Sequence, residues 1–295
     1  MFSCWDAFGQ KTRPVKIIDI GAMLIGKPDY APLLKPNACE LIGFEADENE
    51  CQKLNECYKG QGYTFLPYFI GDGSKRTFNI GTFGATSSLY EPNMKLLENF
   101  QNLPHLHKVV KRIDVLTKRL DDIPQVQAAD YIKIDVQGAE CDVFKGAENL
   151  LKEVMVIHTE VEFIPLYINQ PLFGDVDVFL RQKGFLLHEF HRHAMAGRAI
   201  KPFIVNNDPN RPLSQVMWAD VIYVKNLMEL DKYSPEKLLK MAIILHDIYG
   251  SYDLVHYILQ HYDKQTNEQF AQKYMVLFSQ PQAPGKSTIQ PETMK

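Results

Sequence analysis

"YIKIDVQGAECDVFKGAENLL", residues 131–151, decides the fold. Its first six residues alternate: Tyr131, Lys133 and Asp135 fall on one face of an extended chain, and Ile132, Ile134 and Val136 on the other. After Gly138 the apolar spacing becomes helical, which predicts a helix over 139–151. A strand passing through glycine into a helix is the building unit of a parallel sheet covered by helices. Two charges on one strand face are costly in an apolar interior unless they are paired or open onto a wet, liganded cleft. The end of this strand is therefore where chemistry is expected.

Upstream, "VKIIDIGA" (15–22) and "CELIGFEAD" (39–47) are short apolar runs closed by Gly21 and by acidic residues, the pattern of buried parallel strands. Further strands are expected over 64–70, 108–116, 130–136, 154–161, 184–190 and 217–224, and helices over 48–58, 139–151 and 173–183. The alternation predicts an α/β, doubly wound, mostly parallel sheet with helices on both faces. From about residue 228 the pattern turns helical. Ser234 is placed as an N-cap, Pro235 as the first helical residue and Gly250 as a stop, and two more helical segments follow. The expected organisation is a sheet domain over 1–227, a helical extension over 228–279 and a disordered, proline-bearing tail over 280–295. The extension is expected either to cap the sheet edge or to form a homo-oligomer surface.

Composition narrows the function. The chain has 295 residues, 45% of them hydrophobic, and a net charge of -4 with dispersed basic residues, so it offers no electrostatic footprint for nucleic acid. Five cysteines without a C-x-x-C pair argue against a disulfide framework or a zinc knuckle. No secretion signal and no stretch approaching about eighteen apolar residues is present, so a cytoplasmic protein without a membrane span is expected.

In an open parallel sheet, ligands collect at the carboxyl ends of the strands near the switch in strand order. "DIGA" (19–22) puts Asp19 and a glycine turn at the end of the first strand. Glu45, nineteen residues after Gly26, ends the second, where a carboxylate accepts hydrogen bonds from both hydroxyls of a ribose. The dinucleotide fingerprint G-x-G-x-x-G is absent, because Met23 and Leu24 stand where its glycines would approach a pyrophosphate. A cofactor with a ribose and no phosphates fits better, and S-adenosylmethionine is the common one. "IGDGSKRTF" (70–78) adds Asp72 and Gly73 at the expected end of the third strand, near an adenine edge or in a plain hairpin turn.

With these pieces assembled, "YIKIDVQGAECDVFKGAENLL" resembles the signature of the FkbM-type methyltransferase family, K-I-D-x-E-G-x-E followed by K-G-A. "DIGA", "GFEAD", "TSSLYEP" (86–92) and "IHTEVE" (157–162) fall in the family's order, so the resemblance covers roughly 15–225. Two departures stand out. Met23 follows "DIGA" where the family has Asn and then Gly, and Gln137 replaces the Glu of "D-x-E-G". The resemblance implies a Rossmann-like, seven-stranded methyltransferase sheet with its last strand antiparallel. It also implies methyl transfer to a hydroxyl of a sugar, glycan or other small natural product.

The cofactor set expected from placement and resemblance is Asp19, Gly21, Ala22, Glu45, Ala46, Asp72, Gly73, Ser88, Asp135 and Val136. For catalysis, Asp135 ends its strand while His158, Glu160 and Glu162 share one face of the next by period two. Asp135 or His158 is the expected general base, with Glu160 beside it. Alternatively Asp135, Glu160 and Glu162 hold Mg²⁺ or another divalent cation, by analogy with other methyltransferases of this fold. Lys133 is expected to pair with a carboxylate. His188, His191, Arg192, His193 and Arg198 are placed on a polar loop over the acceptor, and His105 and His107 on the surface. Two other readings are kept: a chain that binds S-adenosylmethionine with little catalysis and, more distantly, an NAD-dependent oxidoreductase.

Overall fold

The protein is described by a computed structural model covering residues 2–23, 26–191 and 195–279. The tail expected over 280–295, together with Arg192 and His193, lies outside the described residues. The strands are β1 (Val15–Ile20), β2 (Cys39–Phe44), β3 (Thr64–Leu66), β4 (Lys75–Gly81), β5 (Val109–Leu116), β6 (Tyr131–Ile134), β7 (Val156–Glu162), β8 (Phe185–Phe190) and β9 (Trp218–Lys225). Seven of them form one sheet in the order β3-β2-β1-β6-β7-β9-β8. β6 runs parallel to β1 and β7, and β3 runs parallel to β2, whereas β9 is antiparallel to both β7 and β8. The switch in strand order falls between β1 and β6, so the carboxyl ends of these two strands flank the crevice where a ligand is expected. This is a Rossmann-like, mostly parallel seven-stranded sheet with the antiparallel last strand that the resemblance implies.

One face of the sheet is aliphatic. Ile18 and Ile20, Ile132 and Ile134, Ile157 and Val161, and Val221 and Tyr223 form a continuous core with Val143 and Phe144 of the helix Glu140–Lys145 and Leu180 of the helix Phe173–Gln182. Pairing places Lys133 beside Asp19 on one side and His158 on the other, and Glu160 beside Asp220 of β9. By the period of two, Asp135 follows Lys133 on the same face. The polar residues of four strands therefore share the opposite face, concentrated toward the carboxyl ends of β1, β6 and β7.

Two expected strands need correction. β3 stops at Leu66 instead of continuing to residue 70, because Pro67 has no N–H to extend a ladder. The strand expected over 108–116 exists as β5, but it lies outside the main sheet and pairs antiparallel with β4, a strand that had no counterpart in the sequence reading. Lys111, Arg112 and Asp114 make β5 too polar for burial on two faces, so it forms a half-exposed ribbon. Among the described residues no helix is long and apolar enough to cross a membrane, and the five cysteines are free thiols.

The chain divides into two compact units. The sheet unit holds residues 17–24 and 41–226, and the helical unit holds 1–16, 25–40 and everything from Leu227 onward. The helical unit is thus discontinuous in sequence. Its helices are Pro235–Ile244, Tyr252–Thr266 and Phe270–Phe278, with a π-helical turn over Leu245–Tyr249 ended by Gly250 in the left-handed conformation. Ser234 caps the first of them by accepting from the Lys237 N–H. Asp247 accepts hydrogen bonds from the N–H groups of Cys4 and Trp5 at 2.7 and 2.9 Å and from Ser3 Oγ at 3.1 Å, fastening the N-terminal helix Cys4–Phe8. His246 is buried as the neutral imidazole. The Phe2 carbonyl, 2.9 Å from Nε2, can only accept, so Nε2 carries the proton and Nδ1 accepts from Tyr274 Oη.

Candidate active site

The mouth of the sheet is shaped first by backbone. Gly21 takes a left-handed conformation (φ +81°) where β1 ends, and a Cβ there would lie 2.0 Å from the Asp135 carbonyl oxygen. Only glycine permits the ends of β1 and β6 to approach this closely. Beyond β6, Gln137 and Gly138 are both left-handed (φ 55° and 91°). The buried Glu140 carboxylate reaches back to accept from the N–H groups of Val136 and Gly138 at 3.0 and 3.3 Å. Burial pushes that carboxyl up to about 7, although these N–H groups favour its charged form. The last Glu of the signature thus holds the strand-to-helix turn in shape.

Two expected ribose-side acids sit at adjacent strand ends. Asp19 is buried near the end of β1, and Glu45, half-buried, follows the last residue of β2. Glu45 Oε1 accepts from the Asp47 N–H at 2.8 Å. Burial above all, with the charges of Asp47, Glu50 and Asp19 adding to it, pushes the Glu45 carboxyl up to about 7. Ala22 is buried beside Gly21, and Ala46 is half-exposed beside Glu45. A carboxylate drawn out of water gains from neutral donors such as sugar hydroxyls.

Asp72 and Gly73 form a turn. Asp72 Oδ1 accepts from the N–H and Oγ of Ser74 at 3.0 and 2.6 Å, and the hydroxyl contact lowers its carboxyl below the usual range. Ser88 is tied to the turn after β6. It is 1% exposed, its hydroxyl donates to the Gln137 carbonyl at 2.6 Å, and the same oxygen accepts from the Tyr90 N–H. It latches the 86–90 loop to the turn after β6.

The acids expected to do chemistry lie at different depths. The Asp135 side chain is 38% exposed, with Oδ2 3.5 Å from Lys133 Nζ. Glu160 is half-buried, and burial first, then the charges of Asp135, Glu162, Asp220 and Glu140, push its carboxyl well above the usual range. Glu162 is 2% exposed and is pushed up in the same way, by burial and then by Glu140 and Asp135. His158 is 1% exposed, with Nε2 3.7 Å from Asp220 Oδ1 and its ring centroid 5.2 Å from that of His191. Period two places His158 on the right face, one row deeper than Asp135. It is therefore set back from the mouth at which Asp135 is exposed.

Lys133 answers the cost of this cluster. Burial works against its charge, but Asp135, Asp19, Asp220 and Glu160 together outweigh that and hold the ammonium above its ordinary range. Asp220 was missed in the sequence, although it interrupts the apolar run "MWADVIYV" in the same manner as Lys133 interrupts its own. The contribution of Tyr167 had no signal: its hydroxyl lies 3.0 Å from the Thr86 carbonyl oxygen and 3.2 Å from Gln137 Oε1.

Gln137 completes the site. Its amide nitrogen donates to Asp135 Oδ1 at 2.9 Å and to Glu160 Oε2 at 2.8 Å. The metal set Asp135, Glu160 and Glu162 does not fit this arrangement, because the amide stands between the first two carboxylates and Glu162 is enclosed in the protein. Among the described residues no group of three or more His, Cys, Asp or Glu side chains is disposed to hold a metal ion. Of the expected polar loop, His191 lies against His158, and the Arg198 guanidinium sits 5.1 Å above the Trp218 ring. His107 is buried with Nδ1 3.0 Å from the Leu103 carbonyl oxygen, which corrects its assignment to the surface.

Comparison with known proteins places this geometry. No match among curated proteins reaches significance. Among solved structures, the chain is similar to a precorrin-6y C5,15-methyltransferase from Geobacter metallireducens GS-15 (14% identity, 73% of this chain and 81% of that one, TM-score 0.38). It is also similar to the Methanococcus jannaschii fibrillarin pre-rRNA processing protein (12%, 73% and 68%, 0.36). A third similar structure is a Burkholderia thailandensis 1,6-didemethyltoxoflavin-N1-methyltransferase (8%, 76% and 76%, 0.35). Likeness at this level bears on neither substrate nor mechanism. The methyltransferase FkbM domain, in contrast, matches residues 19–187, more than half of the chain, from Asp19 near the end of β1 into β8. The protein belongs to the FkbM methyltransferase family.

Proposed function

We propose that the chain transfers a methyl group from S-adenosylmethionine to a hydroxyl of a sugar, a glycan or another small natural product. The observation that carries this reading is the pair of withdrawn acids, Asp19 and Glu45, at the ends of adjacent strands, beside a glycine turn that has no phosphate-binding loop. Asp19 and Glu45 would hold the ribose and amino acid portions. Gly21, Ala22 and Ala46 would leave room for them, and Asp72, Gly73 and Val136 would border the adenine and the reacting end. When bound, S-adenosylmethionine supplies an electrophilic methyl on a sulfonium.

The chain itself must orient the acceptor and take its proton. Alignment of two reactants contributes about 7–11 kcal/mol in favourable cases, and a positioned base about 10²- to 10⁴-fold. Asp135 is the acid with an exposed edge, so it would accept the hydroxyl proton while Lys133 and Gln137 fix its orientation. Calorimetry with S-adenosylhomocysteine and, separately, NADH tests the cofactor. Binding of the first and not the second is expected, and the reverse would overturn the reading. Binding without turnover of any hydroxylated acceptor would favour a protein that holds the cofactor without catalysis.

A further inference from the structure

Glu160 faces Asp135 from β7, and Glu162 and Asp220 lie close to it on β7 and β9. Asp19, Glu140, Lys133 and His158 complete the charged and titratable surroundings, with His191 beside His158 and the Tyr167 phenol at Gln137. Carboxylates this crowded usually share a proton or a cation. Here a neutral amide stands between two of them. The Gln137 NH₂ group has two hydrogens and meets two carboxylate oxygens, at 2.9 and 2.8 Å. In this orientation both amide hydrogens have an acceptor and Oε1 is left to face Tyr167. The main-chain carbonyl of Gln137 accepts from Ser88, and Oε1 lies 3.2 Å from the Tyr167 hydroxyl, whose one hydrogen it shares with the Thr86 carbonyl.

We infer that Gln137 is a positioning residue that replaces a bridging cation, holding Asp135 and Glu160 together so that the acid pair works without a divalent metal. The inference extends the methyltransferase reading to how its acid pair is held. It concerns Gln137, a position at which this chain departs from the signature it resembles. A third carboxylate at that point would remove both donated hydrogens and add a negative charge facing Asp135 and Glu160. Three oxygen-bearing acids around one point are suited to Ca²⁺ or Mg²⁺.

The experiment measures the melting temperature of the full chain and of Gln137→Glu with and without millimolar CaCl₂ or MgCl₂. The wild type should not move, whereas Gln137→Glu should melt lower in EDTA and gain several degrees with the cation through ligand linkage. An equal shift in the wild type would overturn the inference, since a cation would then fit beside the amide, and so would the absence of any shift in Gln137→Glu. If that variant does not fold, Gln137→Ala is measured instead. Removing the bridging donor should lower its melting temperature and make it rise again with the cation, and a loss that no cation recovers shows a packing role only. S-Adenosylhomocysteine binding by the wild type, followed separately, keeps failure of the methyltransferase reading distinct from failure of the clamp.

Discussion

Asp247 in the helical unit and Asp135 at the end of β6 are both partly withdrawn from water, yet the protein holds them in opposite ways. Asp247 spends both oxygens on donors that cannot move away: the N–H groups of Cys4 and Trp5 and the Ser3 hydroxyl. Asp135 is held by the ends of two side chains, Gln137 and Lys133, among further acids, and keeps an exposed edge. A carboxylate saturated by backbone donors fixes structure. One kept in an acid-rich cluster by side chains remains available to a ligand. The difference divides stability from function, and it can be tested from both ends.

The largest effect is expected at the functional end. Asp135→Asn keeps the shape but loses basicity, so turnover should fall at least about 10²-fold while the melting temperature stays nearly unchanged. If Asp135 were only the partner of Lys133, the substitution would strand a cation in a partly buried place, and stability would fall before chemistry did. Turnover and melting temperature measured on the same variant separate these outcomes. Unchanged turnover in EDTA is the companion expectation.

At the structural end, Asp247→Ala strands the Cys4 and Trp5 N–H groups. At about 1–3 kcal/mol for each of the two unsatisfied donors, a loss of about 2–6 kcal/mol is expected in denaturant unfolding. S-Adenosylhomocysteine affinity at a temperature where the variant is folded should be that of the wild type. A stability loss below about 0.5 kcal/mol, the scale of an ordinary surface change, would remove the contrast with Asp135.

How much of this was legible in the sequence follows the same division. Charges that interrupt apolar strands could be read directly: Lys133, Asp135, Glu160 and Glu162 lie on one face as the period of two requires. Depth could not be read. The same period treats His158 and Glu160 alike, although one lies beneath the row occupied by the other. The β4–β5 ribbon was hidden because "KRTFNIG" is too polar to be recognised as a strand until its partner is known. Gln137 looked like a lost charge. Its value depends on Tyr167 and Glu160, which lie 30 and 23 residues away, and no local pattern records such a meeting.

The smallest effect sharpens the comparison on the cofactor side, where Glu45 is withdrawn from water like Asp135 and feels the charges of Asp47, Glu50 and Asp19. Its carboxyl is raised from the ordinary 4.5 to about 7, chiefly by burial. The folded protein therefore binds this proton more tightly than the unfolded chain. The stability so gained is present below pH 4.5 and is lost as pH rises toward 7. Ribose hydroxyls donate to the charged form, so affinity for S-adenosylhomocysteine should climb between pH 6 and pH 8 and then level. Glu45→Gln removes the titration and the charge together. The slope should disappear, and affinity at pH 8 should fall by about 1 kcal/mol, roughly fivefold, the difference between a charged and a neutral acceptor. Calorimetry at three pH values for both proteins decides the matter: a flat wild-type profile, or a slope that survives in Glu45→Gln, would assign the ribose to another acid, with Asp19 next in line.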